Sequence, residues 1–397
     1  MFLEKHCFIL TALVPNSYRS FAKTMFKPKV FYLVAICFLI FFIYQIPFAQ
    51  STKNISPPNN AQSAKTTPPA LISYINQPPL SQEEILNRVK TARSSHQDFD
   101  DIAADVDQRG INFVPDDQLF NQLRFFRASM VNNALSRADE RRRALMAKPK
   151  NLENGTLENL SEEARKELKN LPFIEQARTV AKAYVSSLPN FIVRQQVQRY
   201  GRPLIEGWKL GDYLELAVSY AVDRGENVKL RLKNGRAANT TFEEVGGLTS
   251  TGQFAGQLSA IFSPDSKTEF TEKGSIDFYD QPCLVFDYRV ETRNSRQQIK
   301  IGGAQVITGY RGRLYIHQES KQVLRMEQEA IEIPYSFPIL DATSVVDFGW
   351  VTISNQEYLL PVNAQVSLTS REDRFTALNC ISFNKYNKFD TDVKILD

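Results

Sequence analysis

The sequence predicts an α+β protein whose C-terminal half is a large antiparallel β-sheet, and three observations predict it. First, beyond residue 171 the stretches Cys283–Val290, Arg313–His317, Val323–Ile333, Val345–Ile353, Tyr358–Thr369 and Phe375–Tyr386 alternate apolar and polar residues. Short polar connections such as 318–321 and 354–357 join them, the pattern of a meander with one covered face. Second, residues 80–147 repeat their apolar positions at helical spacing instead. Third, one uncharged apolar run near the N-terminus has the length of a signal or anchor helix.

That run is VFYLVAICFLIFFIYQI, preceded by Lys5, Arg19, Lys23, Lys27 and Lys29 against the single acid Glu4. The excess of cations keeps the N-terminus inside and sends the rest across. Two readings of residues 30–49 stay open. Starting from Met25, they form a signal peptide cleaved after Ala49, although Pro47 sits where a small residue is preferred. Alternatively they remain as a spanning anchor. Residues 1–29 form a basic lead, of which 1–24 read either as a long cytoplasmic lead or as sequence upstream of a start at Met25. The expected location is the cell envelope: single-pass in the inner membrane with the C-terminus outside, or periplasmic after cleavage.

Residues 50–79 are polar and Pro-rich and read as a disordered tether. A small helical module follows at 80–147. Ser81 and Glu84 form a capping box ahead of Ile85, Leu86 and Val89. Phe99, Ile102, Ala103 and Val106 mark a second helix that Gly110 stops. Pro115-Asp116-Asp117 opens a third, and Ser129 caps a fourth. Residues 148–170 are a second linker with a short helix from Ser161 to Lys169. The β domain, 171–397, begins with a helix carrying Phe173, Ala177, Val180, Ala181 and Tyr184. Strands follow at Phe191–Tyr200, Lys209–Val222 and Asn227–Leu232, with Asn234-Gly235 as a tight turn. A second helix, led by Gly252, is inserted before the meander and ends at Pro264.

The composition narrows the function classes. Hydrophobic residues make up 43% and charged residues 23% of 397, which suffices for a sizeable core. A net charge of +4 without a basic stripe argues against nucleic acid as a partner. The three histidines, His6, His96 and His317, are too few for a histidine-based triad or a catalytic zinc centre. His317 beside Glu319 lacks a further ligand and reads as a surface histidine. The adjacent acids Asp100-Asp101 and Glu243-Glu244 make no ready acid/base dyad, and the doublets Gly246-Gly247 and Gly302-Gly303 read as turns. Asn54, Asn154, Asn159 and Asn239 match a glycosylation pattern that recurs by chance. Trp208, Trp350 and the many Phe line either a pocket or, as favoured, plain core. Arg141, Arg142 and Arg143 fit a patch for lipid headgroups or RNA, or, as favoured, the solvated end of a helix. Cys283 and Cys380 are a candidate disulfide pair in an oxidising compartment, or two buried small hydrophobes.

The run LSQEEILNRVK…IAADVDQRGINFVPDDQLFNQLRFFRAS…ALSRA resembles a small helical module of exported and multidomain bacterial proteins, with Arg109 to Phe113 the closest match. The resemblance implies an interaction or spacer element; Arg127-Ala128-Ser129 stands where that pattern often has a Gly-Ala pair. The stretches GQFAGQLSAIFSPDSKTEF, CLVFDYRVE, YRGRLYIHQESKQVLRMEQEAIEIPYSFPI and YLLPVNAQV resemble a family of exported bacterial proteins of unassigned activity with a β-rich C-terminal domain. Tyr310 to Pro334 also resembles a strand–turn–strand unit of the lipoprotein-carrier fold of LolA, LolB and RseB type. That likeness implies a strongly curved half-barrel sheet binding acyl chains or peptides, without catalytic residues or a cofactor. The reading is therefore a non-catalytic binding module for lipid, acylated protein or hydrophobic peptide, tethered to the membrane through its N-terminal segment. The alternative is an envelope scaffold for protein–protein contacts without a small ligand. No catalytic, cofactor-binding or metal-ligating residue is assigned.

Overall fold

The computed structural model describes residues 9–13, 77–95, 98–147, 162–221, 224–242, 244–250 and 256–389. The apolar run 30–49, the tether up to residue 76, His96, Glu243 and residues 148–161 lie outside them.

The helical module forms as its capping residues dictate. Helix α1, Gln82–Ser94, starts where the Ser81 hydroxyl accepts the Glu84 N–H at 3.2 Å. Helix α2, Asp100–Arg109, stops at Gly110, whose φ of 74° suits a residue without a Cβ. Helix α3, Asp117–Phe125, is capped by Asp116, which accepts the Leu119 N–H at 2.7 Å. Helix α4, Ser129–Met146, begins one residue earlier than expected, since Ala128 and not Ser129 holds the cap position. Ile85, Val89, Ile102, Val106, Leu119, Leu123, Val131 and Leu135 fill the space between the four helices. The first three helices, of 13, 10 and 9 residues, are too short to be more than marginal alone.

After α5 (Glu162–Asn170) and α6 (Phe173–Ser187), the chain enters strands β2 (Phe191–Arg202), β3 (Lys209–Ala221), β4 (Gly225–Lys233) and β5 (Arg236–Ala237). A short β6 (Gly247–Ser250) and α7 (Gly256–Phe262) precede β7 (Glu269–Asp277) and β8 (Pro282–Val290). Then come β9 (Gln298–Ile301), β10 (Ala304–Ile307), β11 (Gly309–His317), β12 (Val323–Ile331), β13 (Ile339–Ile353), β14 (Gln356–Ser370) and β15 (Thr376–Lys388). Eleven strands form one open antiparallel sheet in the order β5-β4-β3-β2-β15-β14-β13-β12-β11-β8-β7. A second sheet of four, β10-β9-β1-β6, includes β1, Ile9–Leu13, which pairs parallel with β9 and antiparallel with β6. One preceding and one inserted helix, α6 and α7, match the sequence expectation; the sheet does not close on itself.

Register explains how the large sheet serves two sides. Leu214, Val197, Ile381, Ala364, Val346, Met326, Leu314 and Phe286 are successive cross-strand partners over eight strands, and all are buried and apolar. Directly opposed residues share a face, so this row defines an inner face. Helices α6 and α7 cover it: Phe173 stacks on Phe286 at 5.9 Å, and Arg178 donates to the Phe262 carbonyl at 2.8 Å. Strand β6 crosses the same side, where Arg199 and Asn379 both donate to the Leu248 carbonyl. One residue along, the opposed row reads Gln198, Cys380, Gln365, Val345, Glu327, Arg313 and Asp287. This polar row is the outer face, and the helical module sits on it, sharing its core with Tyr200, Trp208, Leu378 and Cys380.

Candidate functional site

The inner face is where the resemblance places a ligand. Val180, Ala181 and Tyr184 of α6 and Leu258 of α7 face Val323, Phe348 and Leu359 of the sheet. The void they enclose measures only about 10 Å3, the threshold for a single water. At this place α6 and α7 pack closely on the sheet and leave no room for a ligand. Two buried polar side chains beside it lack hydrogen-bond partners: the Tyr184 hydroxyl, and both amide atoms of Gln257, which is 3% exposed. Burial pushes the Tyr184 hydroxyl far above the ordinary tyrosine range, so it stays a neutral donor.

The outer face holds a buried charge network. Arg141 of α4 reaches Asp347 of β13 at 2.7 Å, and Asn363 donates to the same carboxylate at 3.1 Å. Arg325 lies 3.1 Å from Glu327 and 3.5 Å from Asp347, contacts whose angles are not those of hydrogen bonds. Coulomb attraction, not direction, therefore binds this arginine to the two carboxylates. Glu327 and Asp347 are 0% exposed, and burial pushes the Glu327 carboxyl up to about 7 against the pull of Arg325 and Arg313. Arg137 pairs with Asp107 at 2.7 Å, and the Tyr200 hydroxyl donates to the same carboxylate at 2.7 Å. These groups bond one another and join module to sheet. Beside the network, a crevice of about 560 Å3 opens between Ile111 and Phe113 of the module and Phe278 and Tyr279 of the β7–β8 hairpin, with Tyr315 and Arg325 also lining it.

The residues singled out in the sequence fall as follows. Asp100 and Asp101 begin α2 and act as acceptors: Asp101 takes the Trp208 N–H at 2.6 Å and Asp100 the Leu210 N–H at 2.9 Å. They brace the β2–β3 hairpin on the module. The His317 Nδ1 accepts the Ser320 N–H at 3.1 Å inside a turn, and no group of three metal-ligating side chains occurs among the described residues. Trp208 is core at 4% exposure, and Trp350 packs against the inner cluster. Cys283 and Cys380 are both free and buried, on β8 and β15, five strands apart in the sheet. At the usual strand spacing that is roughly 24 Å along the sheet, too far to bridge, so the structure contains the two thiols and not the candidate disulfide. Sequence reading missed the Arg141–Asp347–Arg325–Glu327 network. Its only signal is that Arg325, Glu327 and Asp347 are charges at strand positions facing a helix.

No protein-family model matches the chain, and no curated protein matches it. Among solved structures, it is similar to a domain from Vibrio parahaemolyticus described as outer membrane lipoprotein-sorting, at 8% identity and TM-score 0.32, over 56% of this chain and 96% of that one. A LolA superfamily protein from Nitrosomonas europaea matches at 10% identity and TM-score 0.30, over 54% and 93%. A DUF1329 family protein from Desulfovibrio piger matches at 7% identity and TM-score 0.26, over 56% and 96%. The second is described as LolA superfamily, and LolA is one of the types that the sequence resemblance named.

Proposed function

We propose that the protein is a non-catalytic binding module of the cell envelope, holding an apolar ligand between α6, α7 and the inner face of the sheet. The ligand class is a lipid, an acylated protein or a hydrophobic peptide. The observation that supports this most is the pairing of an apolar row eight strands wide with two buried, unpartnered polar side chains, Tyr184 and Gln257. A ligand with one polar group and a long apolar body would satisfy both features. Because the void is about 10 Å3, binding requires α6 and α7 to move off the sheet. The test is native purification from the envelope, solvent extraction and mass spectrometry. The full chain is used, since the module shares its core with the sheet and β1 pairs with β6 and β9. A stoichiometric lipid or peptide is expected; an empty, stable protein overturns the reading.

The filled interior favours a second reading, an envelope scaffold whose inner face is only a core. Exposed apolar side chains are then the contact points: Ile205 at the β2–β3 tip is 94% exposed and Phe125 of the module 81%. A pull-down that loses a specific partner on Ile205→Ser or Phe125→Ser supports it.

The tether is also a proposal: residues 30–49 direct or hold the chain at the membrane. No helix of the described residues is long and apolar enough to cross one. The pairing of β1 with β6 and β9 favours a different topology, because one crossing at 30–49 cannot leave Ile9–Leu13 in the same sheet as β6. A chain begun at Met25 decides: unchanged stability supports export, and a large loss supports β1 as an integral strand.

A further inference from the structure

A pocket of about 360 Å3 lies between α4 and strands β2, β14 and β15, away from the inner face. Its lining holds five cations, Arg137, Arg141, Arg143, Arg194 and Lys385, and one acid, Glu140. Four of these cations have carboxylate partners: Asp107, Asp347, Asp139 and Glu215, at 2.7, 2.7, 3.0 and 3.6 Å. None of those four acids lines the pocket. The pocket wall is therefore cationic although the wider neighbourhood is balanced.

Two donors remain unanswered. Arg141 is 5% exposed, and its Nη1 donates to the carbonyls of Asp107 and Gln108. Its Nε–H has no hydrogen-bond partner. A buried N–H of a charged group left without an acceptor is costly; with under 1 Å2 of accessible surface, it is reached from the pocket only if the side chain shifts. Lys385 is the second. Strand β15 loses register with β2 between Asn384 and Asn387, and Lys385 sits inside this irregularity at φ 57°. Bulges re-aim a side chain out of the strand's alternation, and a lysine in the left-handed region is uncommon. The ammonium has no side-chain partner among the described residues, and it lines the same pocket.

We infer that this pocket binds a phosphoryl group, carried either by free phosphate or by a phosphate-ester headgroup. N–H donors from a buried arginine, an exposed lysine and an exposed rim arginine on one pocket wall suit a tetrahedral anion with acceptors on all sides. Arg143, 65% exposed at its side chain, supplies the rim. At about 360 Å3 the pocket has room for a small anionic group and not for a nucleic-acid strand. The inference stands apart from the inner-face ligand and survives if that reading fails.

The test is calorimetric titration of the full chain, in neutral detergent, with inorganic phosphate and with short-chain dibutyryl phosphatidylglycerol. Chloride at matched ionic strength is the reference. Binding of inorganic phosphate identifies the free anion as ligand; binding of the short-chain lipid alone identifies the headgroup ester. Lys385→Gly removes the ammonium while relieving the positive φ, so it is expected to bind about tenfold more weakly with no fall in melting temperature. Arg143→Gln, at an exposed site, is expected to weaken binding to a smaller extent. The inference is overturned if neither probe binds beyond chloride, or if both variants bind as tightly as the natural chain.

Discussion

Arg141 on helix α4 and Asp347 in the middle of strand β13 meet at 2.7 Å with side chains 5% and 0% exposed. They are more than two hundred residues apart in sequence and join the helical module to the outer face of the sheet. Removing one partner leaves the other charge buried. Arg141→Ala is expected to cost about 3–5 kcal/mol of stability, read as a shift in the urea midpoint. Arg141→Met combined with Asp347→Leu should recover part of that loss. A change within about 0.5 kcal/mol for the single variant, the range of an ordinary surface substitution, would mean that module and sheet are not coupled through this pair.

Glu327 makes stability depend on pH. Burial raises its carboxyl from 4.5 to about 7 in the folded protein, with Arg325 and Arg313 opposing. Between those values the unfolded chain has released the proton and the folded chain still holds it. Stability therefore falls as pH rises through the window, by up to about 3 kcal/mol. Asp341, raised from 3.8 to about 6 by burial and by Glu329, acts in the same direction. Glu327→Gln should flatten the upper part of the profile. Denaturation midpoints at pH 5, 6 and 7.5 check this, and a profile unaltered in the variant would contradict it.

Arg127 occupies the left-handed region at φ 57° in the turn between α3 and α4. The sequence resemblance expects a Gly-Ala pair at this turn. Relief of the αL penalty, less the extra chain entropy of glycine, predicts that Arg127→Gly stabilises the protein by up to about 1 kcal/mol. A thermal melt that moves downward would show that the arginine side chain contributes more than its backbone costs.

Gly312 of β11 has no room for a side chain. A Cβ built there would stand 1.9 Å from the Glu327 carbonyl oxygen and 2.5 Å from the Tyr288 ring. Backbone cannot yield as a flexible side chain can. Gly312→Ala is expected to destabilise by about 3 kcal/mol, with loss of soluble expression as the cruder sign. A normally folded variant would mean that β11 and β12 separate more easily than their pairing implies.

The two cysteines of the sheet should behave as buried thiols. Burial pushes Cys283 up to about 12 and Cys380 well above the ordinary thiol range, which leaves almost no thiolate to react. Both should resist an aromatic disulfide reagent in native buffer and react on unfolding. A pair that stays unreactive in denaturant until a reductant is added would reveal a bridge.

The long strands were legible in their apolar–polar sequence runs: β8, β11, β12, β14 and β15 lie within a few residues of the runs that announced them. The helix stops at Gly110 and starts at Ser81 and Asp116 were legible through their cap chemistry. Strand β7 was not, because nearly all of its residues are exposed and polar and it has no inward stripe to display. The network of Arg141, Arg325, Glu327 and Asp347 was hidden for another reason. A charge facing solvent and a charge facing a docked helix look identical along the strand, and only the docking distinguishes them.

The two borders of the large sheet differ from its middle in a way that limits how copies of the chain can meet. One border, β5, is two residues long and carries Arg236; the other, β7, presents Glu269, Glu272 and Lys273 and is bent at Gly274 with φ 107°. Short, charged and kinked borders are poor templates for adding another strand. Fibril-like growth by strand addition is thereby discouraged at both ends. A molecule that recognises this protein is likewise steered away from lengthening the large sheet.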